Sequence, residues 1–222
     1  MKKTILCIDT SNKICSVGLL INNCIDYISS PSILSHNEQI LLMINKLMLR
    51  NFITIKSLNL IAISIGPGQF TGIRIGVCVA QGLSFYHSIP IIAFSTLEIL
   101  AEQAWRIYKV KKILVIVGSK KNEVYWGQYI KNDNGLWSKH TQDQIVKNKN
   151  IAKNLSLLNS DWLHIGTKID NVFLKNITKN ILYQYITIPH PIDIINLSIL
   201  SLKNKQKNSL DIMQLNYLYN QF

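Results

Sequence analysis

The sequence has few acidic residues. Its 222 residues contain 12 Asp and Glu against 24 Lys and Arg, for a formal net charge of +12. So few carboxylates leave little material for a catalytic carboxylate pair. A basic chain is typical of proteins with polyanionic partners such as nucleic acid. A second interpretation stays open, because Ile, Asn and Lys are the residues of A+T-rich codons and the lysines are scattered along the chain.

Cysteine pairs, metal-ligand spacings and membrane spans are also missing. The four cysteines form no Cys-x-x-Cys pair, and the five histidines form no His-x-x-x-His pair, so we expect neither a bound metal nor a cofactor. Unpaired cysteines in apolar runs fit a reducing cytosol, and we expect a cytoplasmic protein. No apolar run is long enough to cross a bilayer. Asp9 also interrupts the segment that most resembles a signal peptide.

The first half of the sequence predicts one α/β unit. Apolar segments separated by short turns predict an antiparallel meander of three strands, and Ser35 with Glu38 predicts a capping box that begins a helix. Strands and helices then alternate, which is typical of a mixed sheet covered by helices. The predicted strands are 4–8, 14–21, 24–28, 60–65 and 89–93, and the predicted helices are 36–50, 72–86 and, capped by Ser95, 96–108.

The second half is less clearly patterned. The basic segment 109–112 is interpreted as the boundary between an N-terminal domain, 1–108, and a smaller C-terminal domain, 109–222, with the option that the C-terminal segment packs back on the first domain. Strands are predicted at 113–117, 123–130 and 162–165, and a helix at 193–202. The Asn- and Lys-rich stretch 147–160 gives little pattern, and no sequence repeat is evident.

The most informative segment is the glycine turn 66–76, which joins a buried strand to a helix rich in small residues. Unpaired N–H groups at the start of such a helix suit an anion. A tight turn without a ligand is the alternative, since the spacing matches neither the dinucleotide fingerprint nor the P-loop. Arg74 opposes the helix dipole, so we expect a bound anion or Asp9 to hold it. The candidate anion-binding residues are Asp9, Thr10, Ser11, Gly66, Gly68, Thr71 and Arg74.

The helices 36–50 and 72–86 carry more apolar surface than one core needs. Leu41, Leu42 and Leu49 remain after one apolar face of the first helix is assigned. Gly72, Gly76, Ala80 and Ser84 form a row of small residues that would allow another helix to approach closely. We therefore predict a protein partner, with a core-only explanation left open. The predicted interface residues are Ile40, Met43, Ile44, Leu47, Ile73, Gly76, Val77, Ala80 and Leu83.

Several segments together resemble a known bacterial family. They are Ile8-Asp9-Thr10-Ser11, Cys15-Ser16-Val17, the glycine segment from Gly66 to Gly76, Ala80-Gln81-Gly82-Leu83 and Ser95-Thr96-Leu97. These segments closely resemble the TsaB (YeaZ-type) proteins of tRNA threonylcarbamoyladenosine biosynthesis. The second half is less similar: Glu123-Val124-Tyr125 matches the family, whereas Gly118-Ser119-Lys120 replaces its Asp-Ala-Arg and the usual Pro-x-Tyr-Leu-Arg is lost around Ile212 to Asn216.

The resemblance implies a two-lobed actin-like (ribonuclease-H-like, ASKHA) α/β fold with mixed sheets and a reduced second lobe. It also implies partners: the catalytic paralogue TsaD, the ATPase TsaE, tRNA through the complex, and a second copy of the chain when it is alone. The implied role is a scaffold that TsaD requires to modify the adenosine beside the anticodon in tRNAs reading codons that begin with A.

The resemblance also bears on catalysis. TsaD has a metal-binding His-Met-Glu-Gly-His, and the equivalent positions here are Thr96 to Leu100, which lack both imidazoles. The alternative function is a small kinase or acyl-phosphate enzyme of the same fold that uses the glycine turn and Asp9. Asp9-Thr10-Ser11 lacks the inserted glycine of the kinase phosphate motif, and this lowers the expectation of ATP hydrolysis.

Overall fold

A computed structural model describes residues 3–31, 35–120, 122–158, 162–167 and 183–204. These residues form two compact units. The first unit runs to Ile99 and takes up the chain again at Ile188, and the second unit runs from Leu100 to Thr187. The division therefore falls inside a helix, upstream of the boundary predicted at 108.

The first unit is built on a five-stranded mixed sheet of order β3-β2-β1-β4-β5. Strands β1 to β3 form the predicted antiparallel meander, and β4 and β5 continue from β1 in parallel. The turn between β2 and β3 has Asn22 and Asn23 at positive φ, a conformation that Asn tolerates. The strands are β1 (Thr4–Asp9), β2 (Ile14–Ile21), β3 (Cys24–Pro31), β4 (Leu60–Ser64) and β5 (Ile91–Phe94).

Helices cover this sheet and close its core. Glu38 accepts a hydrogen bond from the Ser35 backbone N–H at 2.9 Å, as the predicted capping box requires. The inner faces of α1 and α2 pack with β1, β2 and β4 into one apolar cluster. The helices are α1 (His36–Arg50), α2 (Phe70–His87) and α3 (Thr96–Tyr108), with a 3-10 turn at Ile55–Ser57.

The second unit has a sheet of order β10-β9-β6-β7-β8, which repeats the order of the first. Again three antiparallel strands are followed by two parallel ones, although β10 has only two residues. Helix α4 (Asn148–Ser156) lies in the stretch for which the sequence gave little pattern. The strands are β6 (Lys112–Gly118), β7 (Glu123–Lys131), β8 (Trp137–Lys147), β9 (Leu163–Gly166) and β10 (Tyr183–Gln184).

Two mixed sheets of the same strand order, each flanked by helices, confirm the predicted actin-like, ribonuclease-H-like fold class. A last helix, α5 (Pro191–Lys203), belongs to the first unit and packs on β1, β2 and β4. The segment after residue 204, including 212–216, lies outside the described residues. Among the described helices, none combines the length and apolar character that a membrane span requires.

Candidate anion site and docking face

Five of the seven predicted anion-binding residues, Asp9, Thr10, Ser11, Gly66 and Gly68, lie at the carboxyl end of the parallel strands of the first sheet. Because β1, β4 and β5 run parallel, their carboxyl ends lie at the same edge, where ligands bind in open α/β sheets. Asp9 ends β1, the glycine turn follows β4, and Thr96 follows β5. Thr96 donates its backbone N–H to the carbonyl of Gly66 at 2.7 Å, which ties the start of α3 to the glycine turn.

Asp9 is fully buried at this edge. Its carboxylate accepts a hydrogen bond from the Ser11 N–H at 3.1 Å and a weaker one from the Asn12 amide at 3.5 Å. Burial raises the pKa of Asp9, whereas hydrogen bonds from Ser11 and Ser64 and the neighbouring His36 act in the opposite direction. Asp9 therefore serves at least to order the β1–β2 turn, through its bonds to that turn.

The β1–β2 turn packs directly against the start of α2. The carbonyl of Ser11 accepts a hydrogen bond from the Gln69 N–H at 2.7 Å. One backbone N–H at the start of α2 is therefore already paired within the protein. A β-carbon at Gly68 would overlap the Ser11 carbonyl, and one at Gly72 would overlap the Thr10 carbonyl. The glycines therefore permit close contact between two backbone segments, and this requirement explains them without a ligand.

Two further side chains join this contact. The hydroxyl of Thr10 is buried against Gly76 and has no hydrogen-bond partner among the described residues. His36, at the start of α1, places Nε2 2.8 Å from the Asn12 carbonyl and lies beside Gly72. In the sequence, the only signal for His36 is its position directly after the capping residue Ser35. His36 thus links α1 to the same turn that holds α2.

Thr71 and Arg74 lie on the exposed side of α2, away from this buried contact. The guanidinium of Arg74 stacks over the Phe70 ring, 3.7 Å from its centroid. Both residues line a groove of about 440 Å³ between α1 and α2, together with Asn37, Leu41, Phe70, Ile75, Cys78 and Val79. The structure therefore divides the seven candidates between two places, and anion binding at either stays a prediction.

The metal positions implied by the resemblance do not fit a metal. The hydroxyl of Thr96 is 2.9 Å from that of Ser64, and Leu100 is a buried apolar side chain. Across the part of the chain that the structure describes, no three His, Cys, Asp or Glu side chains group as ligands would.

The predicted partner-interface residues do not lie on the surface of the first unit. Ile40, Met43, Ile44, Leu47, Ile73, Gly76, Val77 and Ala80 are buried in the first unit, and Leu83 is half-buried against the same core. The row of small residues is not available to a partner helix either, because Gly72 and Gly76 face Thr10 rather than solvent. Helical periodicity identified residues that share a face, and that face is the one packed on the sheet.

The opposite side of the two helices exposes large apolar side chains among polar ones. Leu42 is 68% exposed and Phe85 is 92% exposed, so these side chains contribute little to the core of the first unit. Exposed apolar side chains that lie close together often mark a protein interface. We call this surface the α1–α2 face and define it by Leu41, Leu42, Leu49, Phe70, Cys78, Phe85 and Tyr86, all exposed. It includes the groove beside Arg74.

Comparison with known proteins places the chain in a family. It is 36% identical over 222 residues, and over 100% of both chains, to the tRNA threonylcarbamoyladenosine biosynthesis protein TsaB of Buchnera aphidicola from Acyrthosiphon pisum. This chain belongs to the TsaB family. It is also 31% identical to TsaB of Escherichia coli K12 over 163 residues, covering 73% of this chain and 71% of the relative.

Two further comparisons agree with this membership of the TsaB family. YeaZ from Pseudomonas aeruginosa superposes with a TM-score of 0.79 at 26% identity, covering 91% of this chain and 93% of that one. The family model described as TsaD: tRNA N6-adenosine threonylcarbamoyltransferase matches residues 31–213, so the chain also belongs to that wider family. The TsaB proteins thus share their fold family with the transferase.

Proposed function

We propose that this chain is a non-catalytic scaffold subunit of the complex that makes N6-threonylcarbamoyladenosine in bacterial tRNA. It acts with TsaD, which transfers the threonylcarbamoyl group to the adenosine beside the anticodon in tRNAs reading codons that begin with A. Its membership of the TsaB family supports the pathway. The observation that most supports a scaffold role is the exposed α1–α2 face with its apolar side chains.

The α1–α2 face is proposed to dock TsaD, and a second copy of the chain when TsaD is absent. Apolar side chains from two adjacent helices, with Arg74 and Phe70 at a groove, match the aromatic and arginine content of protein interfaces. TsaE is proposed to join the complex as its ATPase, and the site of action is proposed to be the cytoplasm. The kinase alternative is not favoured, because the relatives' names describe tRNA modification.

Reconstitution tests the proposed function. TsaD, TsaE, the threonylcarbamoyl donor and an unmodified tRNA reading codons that begin with A are incubated with and without this chain. Nucleoside mass spectrometry should detect threonylcarbamoyladenosine only when the chain is present. Equal modification without it would reject a required scaffold, and ATP binding by the isolated chain, measured by calorimetry with and without Mg²⁺, would revive the kinase alternative.

A matched pair of variants locates the surface. Leu42→Asp introduces a charge on the α1–α2 face, where Leu42 is 68% exposed, and should abolish co-purification with TsaD while the chain stays folded. Leu157→Asp makes the same change in the second unit, where Leu157 is 75% exposed, and should leave co-purification unchanged. Retained binding by Leu42→Asp would place the docking surface elsewhere.

A further inference from the structure

The exposed part of β8 and α4 has an unbalanced charge. Residues 138–153 run from one edge of the second sheet into α4 and include Lys139, Lys147, Lys149 and Lys153. Each of these lysines is exposed. Asp143 is the one acidic residue in the segment, and it is buried. Its carboxylate accepts a hydrogen bond from the Tyr129 hydroxyl and forms an ion pair with Lys139. We call residues 138–153 the basic strip.

Helix stability does not explain two of these lysines. Lys147 is the N-cap of α4 and Lys149 lies in its first turn, which contains no acidic residue. Cations are unfavourable there because the N-terminal end of a helix carries partial positive charge. The apolar side of α4, Ile151 and Leu155, packs in the core of the second unit, so Lys149 and Lys153 point outward.

The strand that corresponds to β8 in the first unit is not basic. β3 and β8 occupy the same place in two sheets of equal strand order. β3 contains no lysine or arginine, and its Asp26 is paired with Arg50. A basic edge strand is therefore not a requirement of this place in the fold.

We propose that the basic strip binds the phosphate backbone of an RNA, which, given the proposed function, is the substrate tRNA. Residues 138–142 are all exposed, so strand β8 offers hydroxyl and amide groups beside its lysines. The His140 ring lies 5.6 Å from that of Trp162 and is itself exposed, as a ring that stacks on a base must be. Phosphate contacts from lysine supply affinity and orientation rather than sequence recognition.

Two triple variants of equal charge test the proposal. Lys147→Gln/Lys149→Gln/Lys153→Gln neutralises the basic strip, and Lys13→Gln/Lys56→Gln/Lys203→Gln removes the same charge from exposed positions of the first unit, away from the α1–α2 face. Affinity for an unmodified tRNA transcript is measured by fluorescence anisotropy over a salt series, for the chain alone and with TsaD. The first triple should weaken binding at least tenfold, and the negative slope of log affinity against log salt should become shallower by about 2 to 3. The control triple should do neither.

Every other result overturns the inference. Equal losses by the two triples would show a net-charge effect, and no loss in either setting would show that the strip does not contact RNA. A loss for anionic lipid vesicles without a loss for tRNA would assign the strip to a membrane surface. Replacement of the same three lysines by arginine should restore tRNA binding. Both Gln triples should still co-purify with TsaD, which separates failure of this inference from failure of the proposed function.

Discussion

The carbonyl oxygen of Thr10 lies so close to Gly72 that a β-carbon at this position would overlap it. Gly72→Ala should therefore lower the free energy of unfolding by about 1–3 kcal/mol, despite the better helix propensity of alanine. Gly82, on the same helix, has no neighbouring atom within 4 Å of an added β-carbon, so Gly82→Ala should raise it by up to about 1 kcal/mol. Urea unfolding of both variants measures the two changes in unfolding free energy, which should have opposite signs. Two changes of the same sign would contradict the packing described.

Ala80 is 1% exposed, on the core side of α2. Ala80→Arg should bury an uncompensated charge and cost about 3–5 kcal/mol, enough to unfold much of the chain. Gly82→Arg puts the same side chain at an exposed position of the same helix and should fold normally. Circular dichroism and thermal unfolding of the two variants check this. A normally folded Ala80→Arg would show that Ala80 lies at the surface, where a partner could contact it.

Glu102 and Lys131 form a buried ion pair in the second unit, with the Trp137 indole donating to the same carboxylate at 2.8 Å. The Lys131 ammonium also lies over the Trp105 ring, 4.1 Å from its centroid. Lys131→Met should cost about 3–5 kcal/mol because it leaves Glu102 charged and buried, whereas Lys131→Met with Glu102→Leu should cost less than that single change. A double-mutant cycle by urea unfolding tests this, and additive losses would mean that the two groups are not coupled.

His164 is buried in β9, and burial lowers its pKa to about 4. The unfolded chain binds this proton near pH 6.5, so stability is complete above that pH and is lost as the pH falls toward 4. The total effect is about 3 kcal/mol. Unfolding free energies from pH 7.5 to 4.5 should fall less steeply for His164→Gln than for the wild type. If the unfolding free energy of His164→Gln depends on pH as steeply as that of the wild type, His164 is not the cause of the loss of stability at low pH.

The sequence predicted the first unit well because its signals are local. Alternating apolar residues, the pair Ser35 and Glu38, and the glycine turn after β4 each specify an element without reference to distant residues. In the second unit the sequence also predicted β6, β7 and β9, whereas β8 and α4 lacked such signals. Residues 138–142 of β8 are exposed on both sides, which removes the alternation that marks a strand, and α4 has only Ile151 and Leu155 as buried apolar residues.

The functional surface was harder to predict for a different reason. Periodicity groups Ile40, Ile44 and Leu47 on one face of α1 and leaves Leu41, Leu42 and Leu49 outside it. A helix that packs on a core and also docks a partner is apolar on both sides, so the pattern does not say which side is buried. The surplus of leucines correctly indicated an exposed apolar surface, and only tertiary contacts identify its residues.

The cysteines of the wild-type chain test whether the α1–α2 face docks TsaD. Cys7 and Cys15 are buried, and burial raises both thiol pKa values, so they should react slowly. Cys78 is exposed on the α1–α2 face, and Cys24 is exposed on β3 and serves as the internal reference.

The decisive measurement is the alkylation rate of Cys78 relative to Cys24, followed by peptide mass spectrometry with and without saturating TsaD. The free chain is measured at a dilution where light scattering shows a monomer, because a second copy is proposed to cover the same face. Docking on the α1–α2 face should slow Cys78 at least tenfold while Cys24 keeps its rate. If Cys78 reacts as fast in the saturated complex as in the free chain, TsaD does not cover this face and the account is contradicted.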